Sequence, residues 1–297
     1  MTTEEIRAAE EKLIRLGEKD LPALCDAFEL ARVLKDHVRT SDIRRLATGH
    51  IRNGGGIRAV ELYFKCHLFD AVESFDSYLI YMEKNREQKK QFYLPRRKQL
   101  KQVVDAMQDL ADRKIELLAV SMPPGTGKST LALFYITWLA GKHPEKPILT
   151  GSHANSFLNG AYAECLRMFD VNGDYLWHDV FPELNVICTN AKDMLIDIGK
   201  TKRDGKRFAS LEFSSVGSGN AGKVRAEQLL YCDDLIPDLE TALSADRLEK
   251  LWQQYTTDLR QRKIGDAVEL HIATRWSVRD VIGRLESQYA DAEKSRF

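Results

Sequence analysis

The spacing of apolar residues divides this chain of 297 residues into two parts. In the first 90 residues, apolar side chains recur every three or four positions, as they do along the buried face of a helix. A cluster of glycines interrupts this pattern and predicts a break, because glycine favours neither helix nor strand. We expect a small helical region at residues 1–90, for which the pattern indicates no role. Its predicted helices cover 4–16, 20–38 and 60–84, with the break at 48–56.

From residue 91 onward the pattern changes to short apolar strands that alternate with helices. This alternation is typical of an α/β fold in which helices cover both faces of a mostly parallel sheet. We therefore predict a second domain over residues 91–297. Its predicted strands are 115–122, 146–152, 193–199, 210–217, 228–234 and 267–275, and its predicted helices are 129–142, 155–170, 241–263 and 278–289.

The net charge of zero gives no general attraction to nucleic acid or to a membrane surface. The 44 basic and 44 acidic residues cancel, so any contact with a polyanion depends on local patches. Two segments are basic. Residues 84–101 are either a solvated linker or a contact to DNA or nucleotide, and residues 199–207 are either an exposed turn or a contact to DNA or a partner.

Cysteine usage and the chain start predict a soluble, intracellular protein. The five cysteines form no C-x-x-C pair, which is typical of reduced thiols in the cytoplasm. The first 20 residues are acidic and amphipathic, unlike a signal peptide. No apolar run approaches the roughly 18 residues that a membrane span requires.

The stretch "SMPPGTGKST" at residues 121–130 has the composition of a phosphate-binding loop between a strand and a helix. Glycines let backbone N–H groups approach an anion at the positive end of the helix. Met122 departs from the general pattern G-x-x-x-x-G-K-[ST], which has glycine at that position. We expect ATP and Mg²⁺ here, because Lys128 can reach the phosphates and Ser129 can complete the metal shell. The residues predicted to bind nucleotide are Pro124, Gly125, Thr126, Gly127, Lys128, Ser129 and Thr130.

Two carboxylates end a later apolar strand in "QLLYCDDLI", residues 228–236. We assign Asp233 to the metal ion and Asp234 to the attacking water, as its general base. Many ATPases have glutamate at the second position, so Asp234 is shorter by one methylene; the alternative is an acidic turn. Thr274 ends the last predicted strand, where a hydroxyl can sense the γ-phosphate.

Taken together, these motifs resemble the ATPase domain of the large terminase subunit, the DNA-packaging motor of tailed bacteriophages. The resemblance spans about residues 92–285. It rests on "PPGTGKS", "SHANSFLNGAYAECLRMF", "VFPEL", "GKVRAEQLLYCDDLI", "LEKLWQQYTTDLRQR" and, most specifically, "ATRWSVRDVIGRL".

The resemblance implies a P-loop fold of the additional-strand (ASCE) type and ATP-driven translocation of double-stranded DNA into a procapsid. It also implies a homo-oligomeric ring on the portal protein, a small terminase subunit as partner, the host cytoplasm as location, and Thr274 as the coupling residue. Large terminases usually continue into a nuclease domain, for which this chain has no room after "DAEKSRF". We expect either an isolated ATPase domain or a nuclease on a separate polypeptide.

The resemblance also suggests candidates for the catalytic arginine and for the adenine contacts. Many relatives carry arginine inside the phosphate loop, where this chain has Gly125 and Thr126, so the catalytic arginine must come from elsewhere. Arg225 fits best, with Lys223 in reserve; a solvated arginine is the alternative. Arg97 and Gln99, with Tyr93 beside them, loosely match the adenine motif, although a basic linker also explains them.

Two rival functions use similar motifs. The phosphate loop also fits AAA+ ATPases such as helicase loaders, which normally continue with a sensor asparagine and a helical lid. A nucleotide-dependent switch protein would need no water-activating base, so the paired acids at 233 and 234 argue against it.

Overall fold

The computed structural model describes residues 3–201, 208–217, 225–289 and 291–297. The chain forms two compact units, Met1–Asn85 and Arg86–Phe297, where the sequence predicted a boundary after residue 90. In the described ranges, every helix is too short or too polar to cross a membrane. The predicted basic turn falls mostly at residues 202–207, which lie outside the described residues.

The described part of the first unit is helical. Lys35 ends the second helix in a left-handed conformation (φ 52°), so this helix stops before the predicted end at residue 38. The break predicted at 48–56 is wrong for residues 48–52, because the third helix continues to Arg52 and packs on the fourth. Tertiary packing here outweighs the low helix propensity of one glycine. The helices are α1 (Thr3–Leu16), α2 (Leu21–Leu34), α3 (His37–Arg52), α4 (Gly56–Asp70) and α5 (Phe75–Met82).

A buried carboxylate joins the third and fourth helices. Asp70, at the end of α4, is 5% exposed and accepts hydrogen bonds from His37, Thr40 and Arg44 of α3 at 2.8–2.9 Å. Charge-assisted bonds of this kind satisfy a carboxylate that burial would otherwise destabilise.

An eight-stranded, mostly parallel sheet forms the centre of the second unit, so the predicted α/β class is confirmed. All six predicted strands are present, each shorter by one or more residues at an end. Two strands were not predicted: β3, which pairs antiparallel with β4, and the short edge strand β8. The strands are β1 (Leu117–Ser121), β2 (Ile148–Ser152), β3 (Asn185–Asn190), β4 (Leu195–Gly199), β5 (Leu211–Ser215), β6 (Leu229–Asp233), β7 (Val268–Ala273) and β8 (Ser295–Arg296).

The order of strands across the sheet is β3-β4-β5-β2-β6-β7-β1-β8. Strand β7 therefore lies between β1 and β6 and is parallel to both. Helices pack around the sheet, and the predicted helix at 241–263 is divided into α10, α11, a π-helical turn at Tyr255–Leu259 and a 3-10 turn. The helices are α6 (Tyr93–Ala111), α7 (Lys128–Lys142), α8 (Asn155–Met168), α9 (Trp177–Val180), α10 (Leu239–Leu243), α11 (Ala245–Gln254) and α12 (Val281–Tyr289).

Apolar packing fixes the sheet against these helices. Helix α7 is buried along nearly its whole length from Leu131 to Gly141, which places the helix that follows the phosphate loop in the core. Alternate residues of strand β6, including Leu230 and Cys232, pack with Tyr255 and other apolar residues in one buried cluster. Burial of such side chains contributes about 1.5–3 kcal/mol each to folding.

Glu269 of β7 is a fully buried carboxylate beside this cluster. It accepts hydrogen bonds from Tyr255, His271 (2.7 Å) and Lys263 (3.0 Å), and Arg260 lies 3.5 Å away. Burial alone would raise the pKa of Glu269. The hydrogen bond from His271 and the nearby cationic groups outweigh burial, and the pKa lies well below its usual value.

We predict that Glu269→Gln lowers the free energy of unfolding by roughly 3–5 kcal/mol, because it leaves the partly buried cations Lys263 and Arg260 without their charged partner. Since the pKa is lowered, the contribution of Glu269 is present above the ordinary carboxyl pKa of 4.5 and is lost as the pH falls below it. Urea unfolding at neutral and acidic pH measures both effects. The control is Glu293→Gln at an exposed position; equal effects of the two substitutions would contradict the prediction.

Candidate functional site

The carboxyl ends of four adjacent parallel strands meet at one edge of the sheet. Ser121 of β1 is in register with Ala273 of β7, and Asp233 of β6 is in register with Ile272 of β7 and Ser152 of β2. The loops that follow these strands carry the phosphate-loop motif, the paired acids and Thr274. In open parallel sheets, ligands bind at this edge.

The predicted phosphate loop follows β1 and ends where α7 begins. Gly125 and Gly127 have φ angles of 79° and 89°, a left-handed region that favours glycine. A side chain at Gly127 would also collide with Phe92, whose ring would lie 2.4 Å from its Cβ. Thr126 closes the loop by donating from its hydroxyl to the carbonyl of Pro123 at 2.9 Å. The loop therefore requires both glycines, and Phe92, an aromatic residue that the sequence analysis did not single out, lies against it.

Lys128 is a buried ammonium group held by neutral oxygens. It is 7% exposed, and its Nζ donates to the carbonyl of Met122 at 3.1 Å and to Oγ1 of Thr274 at 3.0 Å. Among the described residues, Lys128 forms no ion pair within 4.0 Å. A buried cation without a counter-ion is favourable only with an anion nearby, so this position suits a phosphate group.

Asp233 is the buried acid of the site. It is 2% exposed and accepts a hydrogen bond from the Tyr231 hydroxyl. Burial raises the pKa of Asp233 to about 6; hydrogen bonds from Tyr231 and Ser129 and the charge of Lys128 partly offset burial, and the charge of Asp234 adds to it. Ser129 and Asp233, the two predicted metal ligands, therefore lie near each other.

Asp234 and Thr274 are joined by a hydrogen bond next to Lys128. Asp234 Oδ1 accepts the backbone N–H of Thr274 at 3.0 Å, while Thr274 Oγ1 accepts from Lys128. Within the described residues, Asp234 Oδ2 has no hydrogen-bond partner. Thr274 thus connects the phosphate-loop lysine with the predicted general base, and one carboxylate oxygen of that base can accept a proton.

Asp280 holds the turn that follows β7. Its Oδ2 accepts the backbone N–H groups of Trp276 and Ser277 at 3.1 Å, and its Oδ1 accepts that of Gly283 at 2.7 Å. Asp280 thereby caps α12 and ties it to the turn that begins at Thr274. The motif "ATRWSVRD" contained this aspartate, but its role depends on backbone geometry that the motif alone does not show.

Some predicted residues are not brought to this edge. Arg225 lies before the amino end of β6, where its backbone N–H donates to Glu212 and its guanidinium contacts Glu227 (3.3 Å) and the ring of Phe208 (4.6 Å to the ring centre). Within one chain it is therefore remote from Lys128, and a role across a subunit boundary stays a prediction. Lys223 lies outside the described residues.

The predicted adenine contacts lie on α6. Arg97 and Gln99 are exposed on this helix, whereas Tyr93 is fully buried and cannot offer its ring to a base. Phe92, which precedes the helix, contacts the phosphate loop at Gly127 and stacks on Phe134 of α7 at 5.9 Å. The start of α6 thus lies beside the loop, and the adenine roles of Arg97 and Gln99 stay predictions.

The donor set fits Mg²⁺ bound together with a nucleotide. In the described part of the chain, no group of three or more His, Cys, Asp or Glu side chains could hold a metal ion alone. Mg²⁺ in nucleotide sites needs only one or two protein oxygens, because phosphate oxygens and water complete its shell. Ser129 and Asp233 supply two such oxygens.

We predict that Asp233→Asn raises the stability of the ligand-free protein by roughly 1–3 kcal/mol near pH 8. Because the pKa of Asp233 is raised from 3.8 to about 6, its ionised form is unfavourable in the fold, and wild-type stability falls as the pH rises between these values. Thermal unfolding at about pH 5 and about pH 8 should show the gain mainly at the higher pH. Asp291→Asn, at an exposed position, is the control. An asparagine variant less stable than wild type at both pH values would refute this account.

Comparison with known proteins does not identify a family for this chain. No protein-family model matches the chain, and no curated protein matches it. The resemblance to large terminases is therefore carried by the motifs of this chain, and its function has to be argued from the site.

Proposed function

We propose that the second unit is a P-loop ATPase of the additional-strand type and that it acts as the ATPase part of a large terminase. The observation that carries the proposal is the convergence of Lys128, Ser129, Asp233, Asp234 and Thr274 at one edge of a parallel sheet. These residues come from three separate segments of the chain, so a chance match of a single motif does not account for them.

The strand order supports this type of P-loop fold. In additional-strand ATPases, one strand separates the strand before the phosphate loop from the strand that ends in the metal-binding acid. Here β7 separates β1 from β6, and Thr274 follows β7. The order thus agrees with the fold that the terminase resemblance implies.

Each residue of the site has a separate role in the proposed hydrolysis of ATP. The loop N–H groups and Lys128 hold the β- and γ-phosphates and neutralise their charge. Ser129 and Asp233 would hold Mg²⁺, which would supply positive charge to stabilise the charge that develops on the phosphate oxygens. Asp234 uses Oδ1 to keep its position on Thr274 and Oδ2 to orient the attacking water and accept its proton.

In this proposal, Thr274 transmits the change caused by ATP hydrolysis to the rest of the second unit. Its hydroxyl accepts from Lys128 and its N–H donates to Asp234, and Asp280 ties the next residues to α12. Loss of the γ-phosphate changes the partners of Lys128, so the turn and α12 can respond to it. In a terminase this movement would translocate double-stranded DNA in a ring on the portal protein, with a small terminase subunit, in the host cytoplasm.

The test is steady-state ATP hydrolysis with and without duplex DNA. We expect Lys128→Ala to weaken ATP binding about 10- to 100-fold, because it removes charge-assisted hydrogen bonds. We expect Asp234→Asn to lower kcat about 10²- to 10⁴-fold with little change in ATP affinity, because it removes a general base but keeps the shape of the side chain. Equilibrium binding of a fluorescent ATP analogue separates the two effects.

Lys192→Ala and Asp291→Asn are matched controls at exposed positions outside the site. Hydrolysis that Asp234→Asn leaves unchanged would favour the switch protein, in which turnover is incidental. Hydrolysis that depends on both residues but is not raised by duplex DNA would keep the ATPase and remove the support for a DNA motor. Stimulation by a replicative helicase rather than by DNA would favour the helicase loader.

A further inference from the structure

We propose that His153 is a positioning residue for the general base Asp234, an assignment that rests on the proposed ATPase function. His153 follows β2 directly and precedes α8, so it belongs to neither the phosphate loop nor the acidic strand. Its ring nitrogen Nδ1 is hydrogen-bonded to the backbone carbonyl oxygen of Asp234.

The register of the sheet brings these two residues together. Ser152, the last residue of β2, is paired with Asp233, the last residue of β6. The next residues, His153 and Asp234, therefore leave the sheet side by side. The turn after β2 is itself held, because the N–H of Ala154 donates to the hydroxyl of Ser152 at 3.3 Å.

The backbone of Asp234 needs this support. Its φ angle is 34°, in the left-handed region that is unfavourable for a residue with a side chain. The peptide group before it is fixed by β7, since the N–H of Asp234 donates to the carbonyl of Ile272 at 2.9 Å. The peptide group after it is fixed by His153 through its carbonyl oxygen. The φ and ψ rotations that set the direction of the Asp234 side chain are thus both restricted, one by β7 and the other by the residue that follows β2.

Losing the bond to His153 frees the peptide between Asp234 and Leu235 to rotate. The residue can then relax toward an ordinary backbone conformation, which moves its carboxylate away from the water it must orient. A displacement of about 1 Å at a reacting group can lower a rate about 100-fold. The effect falls on kcat, because the phosphate-binding groups at Lys128 and the loop are not involved.

The chemistry of the bond provides a specific test. A carbonyl oxygen only accepts, so Nδ1 of His153 carries the proton. The side-chain amide nitrogen of asparagine can occupy the position of Nδ1, whereas that of glutamine corresponds to Nε2. Asparagine can therefore restore the donor to the Asp234 carbonyl, and glutamine cannot restore it in the same place.

The experiment measures kcat, KM for ATP and the thermal unfolding midpoint of the full chain. We expect His153→Gln to lower kcat about 10- to 100-fold with KM unchanged, and His153→Asn to retain most of the wild-type kcat. In an Asp234→Asn background, His153→Gln should lower kcat no further, because the residue it positions is already inactive. His143→Gln, remote from the site at the end of α7, is the matched control.

Three results would overturn the assignment: an unchanged kcat in His153→Gln, equal losses in the glutamine and asparagine variants, or a loss that adds fully to that of Asp234→Asn. Each of these leaves the proposed ATPase intact, provided that wild-type hydrolysis depends on Lys128. Absence of any Lys128-dependent hydrolysis would instead remove the proposed function, and the role of His153 with it.

Discussion

The parallel hydrogen-bond ladders of β7, with β1 on one side and β6 on the other, determine where the candidate catalytic atoms lie. A shift of either ladder by one residue would turn the side chains at the strand ends to the opposite face of the sheet. With the observed register, the loops after three strands converge, and Lys128 reaches Thr274 while Thr274 reaches Asp234. The loop after the middle strand thus connects Lys128 with Asp234, the proposed phosphate-binding residue and the proposed general base.

Two buried carboxylates on the adjacent strands β6 and β7 have opposite effects on stability. Glu269 of β7 is surrounded by donors and cations, so its carboxylate remains ionised and stabilises the fold. Asp233, at the carboxyl edge, has too few donors to compensate for burial, and its pKa rises to about 6. The second arrangement costs stability in the absence of ligand but leaves oxygens available to a metal ion. Active sites commonly combine burial and incomplete neutralisation in this way.

Local sequence was sufficient to predict the six main strands, and it placed the segment at residues 121–130 and the paired acids at strand ends, because each has a local pattern of apolar and special residues. It missed β3, because the residues of Asn185–Asn190 are half exposed and the apolar run at 186–188 is only three residues long. It also missed Phe92 and His153, because their contacts depend on which distant segments lie beside them. The position of Arg225, at the amino end of a strand, likewise follows from pairing and not from its neighbours in sequence.

The left-handed backbone conformation at position 234 limits which acidic residue can occupy that position. Aspartate and asparagine tolerate this conformation better than other residues with side chains, since their short polar groups can bond to nearby backbone. A longer acid would gain reach toward the phosphate but would lose this tolerance. Evolution of this loop is therefore constrained by a torsion angle as well as by chemistry: exchange of the shorter acid for the longer one would require a different backbone path from β6 to α10.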